Sequence, residues 1–420
     1  MESITIICDS SKCTGCYACY NTCDHSAISM ITDNEGFSRP KINSYLCIGC
    51  KKCQKVCPVN NPVERNEIPL TIYSGWSKNE DIRLSSASGG AFTELAKFFI
   101  EQMHGVVFGV AMNEKLEACH IAVEFVDDLS KLQGSKYIQS NINESYRQTE
   151  HYLKEGKNVL FSGTPCQIAG LKNYLRKEYQ QLYTVDLICH GVPSKRLFED
   201  YIKHLESKLQ HRVYDVKFRC KKSSWIFFNM AVNSHVEEKT RKISYEYEGA
   251  YYSDPFIRGF LRDNALRPSC YQCQYTSTKR VSDFTLADWW GYKAEDKCDK
   301  DFEKKGVSLI FTNTSKGQYI LPQLNMLLKE RTLEAALMTN ISLQKPFTMP
   351  GSRQKFWQDY ARMNFSDIVD KWLKPEQMKP MAFIRYKLPD TYLRRILMFV
   401  CHIYEKICKV FKFNVLTIRA

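Results

Sequence analysis

The stretch Cys13-Thr14-Gly15-Cys16-Tyr17-Ala18-Cys19-Tyr20-Asn21-Thr22-Cys23 returns, with its cysteines at the same intervals, as Cys47-Ile48-Gly49-Cys50-Lys51-Lys52-Cys53-Gln54-Lys55-Val56-Cys57, followed by Pro58. This doubled C-x-x-C-x-x-C-x-x-x-C spacing is that of a small domain holding two [4Fe–4S] clusters. Three thiolates in one tight loop reach adjacent irons of one cubane, and the fourth reaches the other cubane. The expected ligand sets are therefore Cys13, Cys16, Cys19 and Cys57 for one cluster and Cys47, Cys50, Cys53 and Cys23 for the other. Gly15 and Gly49 stand where a loop wrapping a cluster has no room for a Cβ. Zinc would use four cysteines, commonly as two separated CxxC pairs. Disulfides would need an oxidising compartment. The first run ends Cys23-Asp24 and lacks the proline that follows Cys57.

Working outward, Ala27–Thr32, the turn Asp33–Gly36 and a return strand from Phe37 form the hairpin that separates the two loops. Residues 1–62 thus make a bacterial-ferredoxin-like module, and the Asn-, Pro- and Glu-rich residues 60–70 a linker. A different composition follows. Strands at 106–111, 119–126, 158–161 and 182–189 alternate with helices at 91–100, 143–154, 167–177 and 194–209, the pattern of an α/β domain. Short aromatic-rich strands follow at 213–220, 227–232 and 243–247, and strand then helix over 307–340. The fold class is α+β / α/β: the module, a mixed α/β domain over 70–345, and a helical basic tail over 346–420.

The chain has 420 residues, 18 cysteines and a formal net charge of +13. No basic n-region precedes an apolar run at the start, and no stretch has the roughly 18 apolar residues of a membrane span. Thiolate ligands persist in a reducing cytoplasm. The charge favours anionic partners, but no nucleic-acid-binding signature accompanies it, and no nucleic-acid partner is expected. Over 381–420 eight basic residues face two acidic ones, with Ile396–Val400, Ile403, Ile407, Val410 and Phe411 at helical spacing. Such a helix suits peripheral contact with the inner face of an anionic membrane or packing on the domain.

In the second half, Cys166 and Cys189 fall at strand ends and Cys270-x-x-Cys273 lies further on. Together they are a candidate four-thiolate site for a third cluster or zinc, with ordinary buried cysteines as the alternative. Cys8, Cys119, Cys220, Cys298, Cys401 and Cys408 have no such context. Ser88-Gly89-Gly90 before a helix suits an anion or a plain turn and cap. No GxGxxG follows a strand.

Ser88-Gly89-Gly90, Gly134-Ser135-Lys136-Tyr137, Leu160 to Gln167, Asp186 to Pro193, the Cys270/Cys273 pair and Asp288-Trp289-Trp290-Gly291 occur in this order. In this the chain resembles the family of coenzyme F420 hydrogenase/dehydrogenase beta subunits, with an N-terminal ferredoxin extension, over roughly residues 1–310. The resemblance implies a flavin, FAD, in the α/β domain beside a third [4Fe–4S] cluster on Cys166, Cys189, Cys270 and Cys273. It places Ser88, Gly89, Gly90 and Lys136 near the flavin. Lys136 or Arg280 would give a basic pocket for an anionic cofactor or substrate. The expected function is an iron–sulfur flavoprotein oxidoreductase that passes electrons between an electron-carrier protein, such as reduced ferredoxin, and a small-molecule substrate. The alternative is a non-catalytic electron-transfer component of a larger complex.

Overall fold

The structure, a computed structural model, describes residues 5–221, 224–236, 243–291 and 302–375, together with Val400. The tail proposed as a basic amphipathic helix lies, apart from Val400, outside the described residues. The N-terminal module contains α1 (Ala18–Asn21), the antiparallel pair β1 (Ile28–Thr32) and β2 (Ser38–Ile42), and α2 (Lys52–Lys55). Asp33 makes the hairpin turn, its carboxylate accepting from the backbone N–H of Glu35 and Phe37.

The body follows as β3 (Thr71–Ser77), α3 (Glu80–Ser85), α4 (Ala91–Glu101), β4 (Val106–Met112), β5 (Ala118–Val123), α5 (Ser145–Lys154), β6 (Val159–Ser162), α6 (Pro165–Leu175), β7 (Leu182–Leu187) and α7 (Lys195–Leu209). After them come β8 (Val216–Cys220), β9 (Asn229–Val236), β10 (Ile243–Ala250), α8 (Pro255–Leu261), β11 (Phe284–Asp288), α9 (Phe302–Lys305), β12 (Ser308–Thr312), α10 (Ser315–Ile320), β13 (Met326–Glu330), α11 (Leu333–Thr339), α12 (Arg353–Tyr360) and α13 (Phe365–Trp372). Eight strands form one mixed sheet in the order β13-β3-β12-β11-β7-β6-β4-β5. Its centre, β11-β7-β6-β4, is parallel, and every pairing outside that centre is antiparallel. β8, β9 and β10 make a separate antiparallel sheet. The mixed α/β class expected from the alternating pattern is what this sheet shows.

The central strands are mostly apolar, as a sheet covered on both faces requires: β6 buries Val159, Leu160 and Phe161 completely, and the polar Thr184, Asp186 and Thr285 on β7 and β11 are buried and hydrogen-bonded. α6 starts on a capping box in which Thr164 and Gln167 satisfy each other's backbone N–H groups, with Pro165 at its first position. α7 is capped by Ser194, whose hydroxyl accepts from the N–H of Leu197. α12 and α13 pack Phe356, Tyr360 and Ile368 into one apolar cluster with Tyr201 of α7 and Phe256 of α8.

The module is built into the body. Cys16, Tyr17, Ala18 and Val56 share an apolar cluster with Phe108, Phe161, Ile168 and Leu171. Residues 60–70, read from composition as a linker, are tied down: the N–H of Asn66 donates to the Arg280 carbonyl, and Glu67 pairs with Lys279. The hairpin tip docks on the start of α7, where Ser194 donates to the Glu35 carbonyl and the N–H of Lys195 to that of Gly36. Arg353 of α12 closes the contact as an ion pair with Glu35.

Candidate functional site

Each cysteine run forms a loop with two residues in left-handed conformation at matching positions. In the first these are Gly15 (φ 64°) and Tyr17 (φ 65°), and in the second Gly49 (φ 70°) and Lys51 (φ 59°). One cavity is lined by Cys13, Cys16, Cys19 and Cys57. The other is lined by Cys23, Cys47, Cys50 and Cys53. The structure therefore brings the eight thiols together in two sets, each borrowing its fourth member from the other run. Among the described residues no three His, Cys, Asp or Glu side chains close around one point as a single metal ion requires, whereas a cubane is held from its corners.

The inner site grows from the parallel centre of the sheet. Cys166 lies in the first turn of α6, just past β6, and Cys189 lies just past β7. Both are thus at strand carboxyl ends, where open α/β sheets bind ligands. Cys270 sits in a short 3₁₀ turn, Pro268–Gln272, and Cys273 follows it. The backbone N–H of Val192 donates to the Cys270 sulfur at 3.4 Å. Cys189 faces Cys270, Cys166 and Cys273, and burial pushes its thiol well above the ordinary range. Burial likewise raises Cys270 to about 12 and Cys273 to about 11. Four mutually facing, half-buried thiols are costly to charge together unless a cationic group neutralises them, which is the chemistry of a metal–sulfur ligand set.

The first-run cavity and the inner site nearly touch. A Cβ built on Gly170 would lie 3.0 Å from the Cys16 Cβ and 3.1 Å from its Sγ. Gly170 is four residues beyond Cys166 on α6, so both lie on one helix face. The Tyr146 hydroxyl sits 2.8 Å from the Cys16 carbonyl and 2.7 Å from that of Gln167, pinning loop to helix. Arg267 lies fully buried between them. Its guanidinium donates to the carbonyls of Cys13 and Ser38, both at 3.1 Å, and adjoins Cys270 and Cys166.

Sequence reasoning missed two residues. Cys8, set aside as ordinary, lines the first-run cavity and donates its S–H toward Cys13 and Cys57. That hydrogen bond is the leading reason Cys13 falls to about 5 and Cys57 to about 7. Arg267 stands in no motif, and its contacts span up to 254 residues. Cys119 and Cys220 stand apart from the thiol sites, while Cys298, Cys401 and Cys408 lie outside the described residues.

The expected flavin neighbours are placed less simply. The N–H of Gly89 donates to the Ser308 hydroxyl, and a Cβ there would strike the Gly75 carbonyl at 2.4 Å. Its glycine serves close packing of α4 on β3 and β12. Ser88 donates to the Val307 carbonyl, and Gly90 (φ 94°) caps α4. Lys136 is half-buried, donates to the carbonyls of Lys131 and Gln133, and is lowered to about 7 by the loss of solvent around it. The Ser88 carbonyl accepts from Lys221, also lowered to about 7 by burial, which adjoins Arg219 and Asp288. Arg219 pairs with Asp288, and Trp225 donates to the same carboxylate. Arg280 corrects an expectation. It is buried and engaged by Asp186, Thr285 and the carbonyls of Tyr275, Ser277 and Leu187, so it braces β7 and offers no charge to a pocket.

Comparison with known proteins follows the same division. Residues 12–61 match the 4Fe-4S dicluster domain. Residues 156–335 match the family defined by the C-terminal part of the coenzyme F420 hydrogenase/dehydrogenase beta subunit. The coenzyme F420-dependent sulfite reductase of Methanocaldococcus jannaschii is 28% identical over 195 residues, 45% of this chain and 29% of that protein. The F component of the F(420)H(2) dehydrogenase of Methanosarcina mazei, one of its subunits, is 22% identical over 163 residues, 37% of this chain and 46% of that protein. The chain thus spans less than half the length of these curated relatives. A chain of the F420-reducing [NiFe] hydrogenase complex from Methanosarcina barkeri aligns with a TM-score of 0.43 at 15% identity, covering 72% of this chain and 90% of that one. Residues 156–335 are thus similar to the C-terminal part of coenzyme F420 hydrogenase/dehydrogenase beta subunits, and residues 12–61 to a 4Fe–4S dicluster domain.

Proposed function

We propose that this chain is an iron–sulfur flavoprotein oxidoreductase that conducts electrons inward from the ferredoxin-like module to a flavin in the α/β body, or outward along the same route. The observation that carries the reading is the contact of the Cys16 loop with α6 at Gly170, beside the inner thiols Cys166, Cys189, Cys270 and Cys273. In this reading Cys13, Cys16, Cys19 and Cys57 hold one cluster and Cys47, Cys50, Cys53 and Cys23 a second. The four inner thiols hold a third. When bound, clusters supply single-electron steps and a flavin supplies paired-electron, hydride-type chemistry.

The chain's own residues supply the rest. Buried Cys16, Tyr17 and Val56 exclude water between module and body. Arg267 offsets the negative charge that thiolates bring to both sites. The region of Ser88, Gly90, Lys136, Lys221 and Arg219 is the proposed flavin neighbourhood, where Lys136 and Lys221, held near neutrality by burial, would regain charge beside an anionic group. The relatives' names make reduced F420 the first small-molecule substrate to assay.

Protein purified without oxygen should carry about twelve irons and one flavin per chain, and Cys166→Ser should bring the iron to about eight. Eight irons in the unaltered chain, with none lost on that substitution, would remove the inner cluster. The second reading, an electron-transfer component without chemistry of its own, is favoured by a relative that is named as part of a dehydrogenase. Turnover of a small molecule by the chain alone, with an artificial electron donor, would exclude it.

A further inference from the structure

The two module cavities differ in exposure. Around the first, Cys13, Cys16, Cys19 and Cys57 are buried. Around the second, Cys50 is exposed, and the cavity is also lined by Lys51 and Lys52. Next to it stand Tyr45, 97% exposed, Leu46, 48% exposed, and Ile48, 46% exposed. Residues 36–63 hold Arg39, Lys41, Lys51, Lys52 and Lys55 and no Asp or Glu. The acid lining this cavity, Asp24, is paired with Lys52 at 2.5 Å.

An exposed aromatic and two aliphatic side chains beside a thiol ligand, set in a basic field, make a small apolar centre with a charged rim. Short-lived redox encounters use small interfaces, and complementary charge steers them. Resting on the cluster assignment above, we propose that the face formed by Tyr45, Leu46, Ile48, Cys50, Lys51 and Lys52 docks the acidic face of a small one-electron carrier protein. The carrier gives up one electron and the second-run cluster gains it, or the reverse, with no bond made or broken. A lipid surface would also meet the charge, but it would insulate Cys50, the most exposed thiol of the two sets.

The test uses the full-length, anaerobically purified protein and a small acidic ferredoxin, pre-reduced and freed of excess reductant. Cluster bleaching is followed by stopped flow. The second-order rate should fall roughly tenfold from low to moderate salt. Lys51→Gln/Lys52→Gln and, separately, Tyr45→Ser should slow it several-fold at low salt. Reduction by methyl viologen radical should not slow in either variant, and iron content should be unchanged. A rate indifferent to salt and to both variants overturns the proposal while leaving the clusters in place. So does lysine-dependent binding to phosphatidylglycerol vesicles with an unaltered ferredoxin rate. No bleaching by either donor overturns the cluster assignment itself, and the docking face with it.

Discussion

His120 and Arg267 show what a single buried side chain does here. His120 stacks on Phe161 with ring centres 5.2 Å apart, and its Nε2 lies 2.8 Å from the Ser162 carbonyl. Nε2 must donate there, which leaves buried Nδ1 without a partner. Burial lowers the ring to about 4. The unfolded chain therefore binds the proton more tightly, and this contribution is complete above about pH 6.5 and lost as pH falls toward 4. Its size is about 3 kcal/mol at most. Asp254, raised by burial to about 6, acts in the opposite sense over the same range. Denaturant unfolding of His120→Asn against the unaltered protein, from pH 5 to 7.5, isolates the histidine: the gap between them should narrow as pH falls. Arg267→Met should cost about 2–4 kcal/mol, because it strips donors from buried carbonyls. It should also lower the midpoint potentials of the proposed first-run and inner clusters and leave that of the second run unmoved, as a redox titration followed by EPR would show. The cysteine spacing marked the eight N-terminal thiols, because spacing within one loop is a local property of the chain, whereas Cys166, Cys189, Cys270 and Cys273 were grouped by strand ends and by the resemblance. Arg267 and Cys8 were not readable, since what matters about each is a neighbour brought by folding.

Among the elements, α6 couples the module to the sheet. Its strand-end cysteine was marked in the sequence, but the capping box that starts the helix two residues earlier than expected, and the role of Gly170, were not. Gly170→Leu forces a side chain into the Cys16 loop, where even a Cβ meets atoms at 3.0 Å. It should lower stability by about 1–3 kcal/mol. It should also slow transfer from the module to the inner site, read as delayed bleaching of the proposed inner cluster after rapid reduction of the outer ones. The hairpin and the strand–helix alternation through α7 were legible because each announces itself by periodicity and turn residues. The strand β3 was not, since its alternation is weak and its pairing is remote: Thr71 meets Thr312, 241 residues away. α12 and α13 fall in the stretch read as a helical tail, but their packing on the body went unread for a related reason. Their buried stripe is a few aromatics among charged residues, and its meaning lies in the groove of α7 and α8 that receives it.

At the scale of the whole molecule, the shared cluster of Cys16, Tyr17, Val56, Phe161 and Ile168 makes module and body one cooperative unit. Calorimetry of the loaded protein should show a single transition over the described region, with the module's visible absorbance lost at the same temperature as the near-ultraviolet circular dichroism of the body. A separate, earlier loss of absorbance would mean that the module hangs loose. The exchange of fourth thiols carries this interdependence into assembly. Since Cys57 closes the pocket of the first loop and Cys23 that of the second, neither half of the pair can be filled while the other is misshapen. On the proposed ligand sets, losing Cys23 or Cys57 would damage the pocket of the other loop, and during biogenesis the inorganic cargo must arrive after both loops have met.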